Sequence, residues 1–277
     1  MATQTNERPV MLPNVCPNQR ALVLLALIGS SCLMCMGPAG VRDAEPKQEQ
    51  RGWLGWLGAP KQVKGSGRSK EERRALSGFT RLAISGALRV DVRGGKPFDT
   101  RLTGDDNLLA FIKTEVKGET LHIHPQENTN LSPQAELNVV VSLPHINGLE
   151  ISGASSVGAM DFSTSAGDID VSGASQLTLK GIRTHNLKLD ASGASIVQLV
   201  GEVARFDVEV SGASRLDAKH LKAAEITVEA SGAANADVSA HAGVTGEASG
   251  ASDLSVWGNP ARLAVEASGA ASVTRKQ

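Results

Sequence analysis

The chain has 277 residues, of which 90 are Ala, Gly or Ser, and only 3% are aromatic, with no Tyr. Aromatic side chains supply much of the bulk of a conventional globular core, so a core of that kind is excluded. The glycines follow no three-residue period, which excludes collagen, and 41% hydrophobic residues are too many for a wholly disordered chain. A net charge of −1 shows no signature of nucleic-acid binding, so we expect no nucleic-acid partner.

Residues 1–40 contain an apolar, uncharged segment at residues 21–36. This segment is shorter than the roughly 20 residues of a membrane-spanning helix, but its length suits the hydrophobic core of a signal peptide. Small residues before and at Ala39 favour cleavage after that residue. An uncleaved membrane anchor over residues 21–41 and lipoprotein attachment through Cys32 stay open. All three interpretations predict an exported protein of the periplasm or cell envelope.

Residues 41–75 have the composition of a flexible basic linker. They carry nine Lys or Arg against five Asp or Glu, mixed with Gly, Pro and Ser. Residues 76–277 carry 17 Lys or Arg against 23 Asp or Glu. The sequence therefore predicts a basic tether ahead of an acidic folded domain.

The tripeptide Ser-Gly-Ala recurs seven times after residue 149, at intervals of 18–20 residues. Repetition at a fixed short period is the signature of a solenoid. An isolated earlier copy begins at Ser85. The Ser and Gly of the seven repeated copies are Ser152, Gly153, Ser172, Gly173, Ser192, Gly193, Ser211, Gly212, Ser231, Gly232, Ser249, Gly250, Ser268 and Gly269.

Apolar and polar residues alternate on both sides of each motif, and this period of two predicts strands. Two short strands for every 18–20 residues leave no room for a helix. We therefore expect an all-β fold, a single-stranded parallel β-helix of about seven rungs. Parallel crossovers are nearly always right-handed, so we expect that hand. The third residue after each motif Ser is Ser or Ala, and the alternation predicts that it points into the narrow interior.

Residues 76–148 lack the regular repeat and carry irregular strand-like runs separated by turn signals such as Gly94-Gly95. An uncovered end of a β-helix offers unpaired backbone groups to other chains. We therefore expect residues 76–148 to form an irregular β cap at the N-terminal end, with the repeat itself in residues 149–277.

The run GDDNLLAFIKTEVKGETLHI at residues 104–123, followed by serial SGAS motifs, resembles the head GIN domain family. The resemblance covers about residues 77–274. It implies a β-helical domain in an exported or envelope-attached bacterial protein. The family is labelled "putative auto-transporter adhesin" and is otherwise a domain of unknown function, so it supplies no catalytic residues.

An acidic residue stands two positions before every repeated Ser. On alternating strands this position faces solvent, so the acids are predicted to form a column with neighbours about 4.8 Å apart. Charges at that distance repel by roughly 1 kcal/mol even in water. The column is interpreted either as a means of keeping the face from pairing with another sheet, which we favour, or as a docking surface for divalent cations or a cationic polymer. The seven acids are Glu150, Asp170, Asp190, Glu209, Glu229, Glu247 and Glu266.

The sequence contains no catalytic, phosphate-binding or dinucleotide-binding motif. The three cysteines all lie in the first 40 residues, and His122 and His124 alone are too few ligands for a zinc site. We therefore expect no cofactor and no metal site, with Ca²⁺ binding by the acids left open.

These observations together predict a non-enzymatic protein that displays a binding or adhesion module. Its partner would be an envelope protein or a polysaccharide, and its N-terminal segment would contact the membrane if uncleaved. One alternative is a ligand-free structural scaffold of the envelope. A second is a polysaccharide-acting β-helix enzyme, which is disfavoured because the acids are spread one to a rung instead of being concentrated at one place.

Overall fold

The protein is described here by a computed structural model, which covers residues 60–276. The predictions of a signal peptide, an anchor or a lipoprotein, and the part of the linker before residue 60, lie outside the described residues. Within residues 60–276 the fold consists of strands and one short 3₁₀ helix at Leu109–Phe111.

The repeat region is a stack of parallel strands, so the predicted parallel β-helix is confirmed. Its long strands turn through more than one side of a rung, with register shifts at the bends. The hand of the coil stays a prediction. The strands of this region are β10 Gly148–Ile151, β11 Ser156–Met160, β12 Ser163–Val171, β13 Gln176–Ala191, β14 Ile196–Val210, β15 Arg215–Ala230, β16 Asn235–Ala248, β17 Asp253–Trp257, β18 Arg262–Ala267 and β19 Ser272–Arg275.

The interior is built from columns of aliphatic side chains that stack from rung to rung. One column runs through Leu177, Val197, Leu216 and Ala236, which are paired in register and nearly fully buried. Each column needs only one medium-sized side chain per rung, and this explains how a chain so poor in aromatics still forms a continuous core.

Nine strands precede the repeat, and several of them extend the same stack. The rung β3–β4 lies beneath β10–β11, and the rung β7–β9 lies beneath β3–β4, in each case with parallel pairing. The order of rungs in space therefore differs from the order in the chain. These strands are β1 Lys61–Lys64, β2 Ser69–Arg74, β3 Arg81–Ile84, β4 Arg89–Arg93, β5 Asp99–Asp105, β6 Ile112–Lys117, β7 Thr120–Pro125, β8 Thr129–Ser132 and β9 Asn138–Ser142.

The Ser-Gly-Ala copy at Ser85 is not isolated, which corrects the prediction. It forms the corner between β3 and β4, and the carbonyl of Gly86 accepts a hydrogen bond from the N–H of Ala154 at 2.7 Å. Eight corners therefore stack, and part of the predicted cap belongs to the β-helix proper.

The outermost rung at the N-terminal end is covered by antiparallel strands. β6 pairs with β7, while β5 pairs with β9 and also with β2. These strands occupy the free edges of the last rung, and this is the function expected of a cap.

The predicted flexible linker is wrong for Lys61–Lys64 and Ser69–Arg74, which form β1 and β2. The sequence of β2, SKEERR, shows no apolar alternation, because this strand is held by its ladder with β5 and by one side chain. The guanidinium of Arg74 donates hydrogen bonds to the carbonyls of Leu109 and Ile112 and to the Thr114 hydroxyl.

Candidate binding face

The corner glycines set the register of every rung. Their φ angles in the seven repeated copies lie between +71° and +81°, a region that glycine adopts without strain. A Cβ added to Gly193 would lie 2.6 Å from the carbonyl oxygen of Gly173. Each corner backbone therefore rests directly on the one below, and residues at the same distance from the motif lie in straight columns.

A column of small side chains lies inside the corner, as the alternation predicted. Its serines are buried, and Ala234 takes the equivalent place in another rung. The Ser195 hydroxyl donates to the Ser214 hydroxyl at 3.1 Å, whereas the Ser175 hydroxyl has no hydrogen-bond partner within the described residues. The buried serines are Ser155, Ser175, Ser195, Ser214 and Ser252.

The seven acids are brought together in one column, which we call the acidic face. Every neighbouring pair is in register, from Glu150 opposite Asp170 to Glu247 opposite Glu266. Six of the seven side chains are exposed and Asp190 is half-buried. Below Glu150 the column continues with Ala83 and His122, so the line of carboxylates begins with the repeat.

The charges of the acidic face act on one another. Partial loss of hydration against the neighbouring strands, followed by the repulsion of Asp168, Asp190 and Glu150, raises the pKa of Asp170 above its ordinary value of 3.8. Lys188 interrupts this field, because its ammonium donates to the Asp190 carboxylate at 2.8 Å. Within residues 60–276, the acids of the acidic face above Asp190 have no salt bridge of this kind, so four successive carboxylates carry unpaired negative charge.

Within residues 60–276 no group of three or more His, Cys, Asp or Glu is placed to hold a metal ion. The His124 ring lies 2.9 Å from the carbonyl oxygen of Pro125 and 3.7 Å from the Glu115 carboxylate. Calcium binding by the acidic face is not tested by this geometry and stays a prediction.

A groove of about 640 Å³ lies beside the lowest corners and was not predicted. It is bounded by Gly86, Pro125, Leu131 and Leu137, with Arg89 at its edge. The guanidinium of Arg89 is paired there with the Glu136 carboxylate. These residues come from four separated segments, and no local pattern in the sequence indicates that they meet.

Among the described residues, no helix has both the length and the apolar character needed to cross a membrane. The sequence matches none of the curated proteins.

Solved structures of similar fold are known from Bacteroides and Parabacteroides species. A putative adhesin from Bacteroides fragilis is 16% identical, with a TM-score of 0.70 over 77% of this chain and 100% of that chain. A putative lipid binding protein from Parabacteroides distasonis is 17% identical, with a TM-score of 0.60 over 78% and 100% of the two chains. A putative adhesin from Parabacteroides merdae is 14% identical, with a TM-score of 0.60 over the same shares. At these identities the likeness establishes the fold alone.

The family model described as "Putative auto-transporter adhesin, head GIN domain" matches residues 78–260. This range holds the Ser85 corner, the strands of the N-terminal cap from β3 onwards and most of the repeat. The resemblance suggested by the serial SGAS motifs is thereby confirmed: the chain belongs to the head GIN domain family.

Proposed function

We propose that this protein is a non-enzymatic adhesion module of the bacterial cell envelope, and that its acidic face binds a cationic polymer. The observation that carries the proposal is the column of seven carboxylates, one to a rung and in register along the whole repeat. The adhesin names of the family and of two similar structures support the adhesive role.

The spacing of the carboxylates favours a polymer over a single ion. Adjacent rungs lie about 4.8 Å apart, so each carboxylate repels its neighbours by roughly 1 kcal/mol even in water. A chain of positive charges relieves this repulsion at many rungs in one binding event. Suitable partners are a basic segment of an envelope protein and a polysaccharide that carries amino groups.

Calcium is the alternative ligand for the acidic face. Carboxylate oxygens are its preferred ligands, but a straight column does not surround an ion as a Ca²⁺ loop does. A titration with Ca²⁺ alone, followed by calorimetry and by the melting temperature, separates the two ligands. Heat and a rise in melting temperature at millimolar Ca²⁺ would favour the ion.

The location in the envelope rests on the family name and on the apolar segment at residues 21–36. A cleaved signal peptide, an anchor over residues 21–41 and lipoprotein attachment would each deliver the module there. Labelling the N-terminus of the mature protein distinguishes the three, because cleavage removes the segment and lipoprotein processing leaves a modified cysteine.

The binding experiment is a calorimetric titration with a ten-residue lysine peptide. The test variant carries Glu209→Gln, Glu229→Gln and Glu247→Gln, and the control carries the same charge change away from the face through Glu71→Gln, Glu119→Gln and Glu127→Gln. Loss of three exposed ion pairs of about 0.5 kcal/mol each predicts roughly tenfold weaker binding for the test variant. The control should bind like the wild type.

Equal binding by all three proteins would contradict the proposal and favour the scaffold. In that case the carboxylates would serve only to keep the flat face from pairing with other sheets. New reducing ends after incubation with acidic polysaccharides would contradict the non-enzymatic part of the proposal.

A further inference from the structure

The C-terminal end of the β-helix differs from the covered N-terminal end. β18 pairs with β16 on one side, and no strand within residues 60–276 pairs with its other edge. Leu263 and Val265 continue the internal columns, yet both are only partly buried because nothing in the described chain lies over them. This end therefore combines an open strand edge with incompletely covered apolar side chains, the usual conditions for pairing with another strand.

The hydrogen bonds between β16 and the residues of and after β18 show which backbone groups of β18 point out of the end of the β-helix. The N–H of Ser268 donates to the carbonyl of Ala248 in the rung below, and successive residues of a strand point their backbone groups to opposite neighbours. The backbone groups of Leu263 and Val265 therefore point away from β16, out of the end of the β-helix. The same two residues carry the inward side chains.

The solvent-facing side chains of β18 carry opposite charges at positions symmetric about the middle of the strand. The strand reads Arg262-Leu263-Ala264-Val265-Glu266, with a cation and an anion at equal distances from Ala264. An antiparallel copy of this strand, related by a two-fold axis at Ala264, would place Arg262 of each copy opposite Glu266 of the other. Opposite charges in directly facing cross-strand positions are stabilising.

We propose that two copies of this chain associate through the free edges of β18, as an antiparallel pair centred on Ala264. Leu263 of one copy then exchanges both backbone hydrogen bonds with Val265 of the other, so the outward-pointing backbone groups of these two residues are satisfied in both copies. The apolar columns of one copy meet those of its partner across the junction.

Charge selects this register over its neighbours. An axis at Val265 would set Glu266 opposite Ala264 and lose both ion pairs, and an axis at Glu266 would oppose two carboxylates. In the single copy, the one acidic partner of Arg262 among residues 60–276 is Glu225, at a long distance of 3.9 Å and with both side chains more than half exposed. Its guanidinium can therefore turn toward a partner with little loss.

Because the N-terminal end of the β-helix is covered, further copies cannot add there by strand pairing. Head-to-tail stacking would need a free edge on β7 or β9, and both are occupied by β6 and β5. An isologous contact uses the β18 edge of both copies at once, so association through β18 closes as a dimer and does not propagate into a fibre. A contact of this size is small, so the dimer is expected to dissociate on dilution.

The test measures the mass of the full chain, purified in detergent, by sedimentation over a range of concentrations. The wild type is expected to dimerise as concentration rises. Glu266→Arg and Arg262→Glu each oppose like charges twice, and each should weaken the dimer by roughly tenfold or more. The double variant with both changes restores the opposite pairs and should regain dimerisation, and this rescue excludes misfolding as the cause.

The register is tested by disulfide capture in a chain whose three native cysteines are replaced by Ser. Ala264→Cys should form a covalent dimer on oxidation, while Thr274→Cys, on the exposed side of β19, should not. A wild type that stays monomeric, or a dimer that ignores both charge reversals, would overturn the proposal. The acids changed in the peptide titration do not include Glu266, so the two proposals fail or succeed separately.

Discussion

Arg81 and Asp168 are 87 residues apart in the sequence, yet the guanidinium Nη2 of the first lies 2.8 Å from the carboxylate Oδ2 of the second. The two residues lie in rungs on either side of β10, and Gly148 separates them in register. A Cβ at Gly148 would lie 2.6 Å from the Arg81 guanidinium carbon, so the missing side chain leaves the passage through which Arg81 reaches Asp168.

Filling the passage at Gly148 and removing the acceptor at Asp168 should break the same ion pair. Gly148→Ala and Asp168→Asn are each expected to lower the free energy of unfolding by up to about 1 kcal/mol, because the pair is partly exposed. Urea denaturation of the double variant should show a loss no greater than that of Gly148→Ala alone. A loss equal to the sum of the two single changes would contradict the shared contact.

Because the corners stack on one another, a Gly-to-Ala change should cost much more stability at a corner than at a glycine of similar φ elsewhere. Gly193→Ala combines a positive φ with a Cβ 2.6 Å from the Gly173 carbonyl oxygen, and should cost more than 2 kcal/mol, roughly. Gly95, with φ +67°, has nothing within 4 Å of an added Cβ, so Gly95→Ala should cost only about 1 kcal/mol. Similar losses of thermal stability in the two variants would show that the corners do not rest on one another.

In the column of buried serines, the same Ser-to-Ala change is expected to have different effects on stability at two positions. Ser175→Ala removes a hydroxyl that has no hydrogen-bond partner among residues 60–276, and it should leave stability unchanged or slightly increased. Ser195→Ala removes the donor to Ser214 and should cost about 1 kcal/mol. Denaturant unfolding measures both, and the account fails here if Ser175→Ala is the more destabilising change.

The lowered pKa of Asp105 predicts that the protein loses stability in acid. Burial raises the pKa of this carboxyl, but hydrogen bonds from the N–H groups of Ala135, Gln134 and Gly67 outweigh burial and hold the pKa below its ordinary value of 3.8. The unfolded chain then takes up the proton first, so the contribution is complete above pH 3.8 and disappears as the pH falls through the folded-state pKa. Asp105→Asn should lower the melting temperature at pH 7, and the difference from wild type should shrink toward pH 3. A constant difference would argue against the carboxylate.

The raised pKa of Asp170 predicts the opposite dependence of stability on pH. Its pKa is raised by partial loss of hydration and by its acidic neighbours, so its ionisation in the folded state opposes folding as the pH rises above about 3.8. Asp170→Asn should therefore stabilise the protein at pH 7 by a few tenths of a kcal/mol, and the gain should fall at high salt and vanish in acid. Glu127→Gln, away from the face, serves as the control and should change little.

The repeat could be predicted from the sequence because each column draws on residues at constant offsets from a visible motif. The inward serines and the acidic face followed from that alternation and are found in the predicted places. Position alone predicted the exposure of acids such as Glu209 and Glu229, since each of these two stands between two buried neighbours in its strand.

The cap was less predictable because its rungs are formed by segments distant in sequence. The corners at Ser85 and Ser152 are adjacent in space, but the strands β5–β9 are inserted between them in the chain. β2 carried no apolar pattern because it lies on the outside of the cap. The groove beside Gly86 depends on the same insertion, so its residues could not be identified from local spacing.

If the acidic face mediates adhesion to a cationic polymer, the face should hold the protein on such a polymer under flow. Beads coated with wild type, with the Glu209, Glu229 and Glu247 to Gln variant, or with its charge-matched control are allowed to settle on chitosan, an amino polysaccharide, and on neutral dextran. Wild-type and control beads are expected to resist detachment from chitosan more strongly than the face variant, with no difference on dextran. Equal detachment of all three from chitosan would contradict this role of the acidic face.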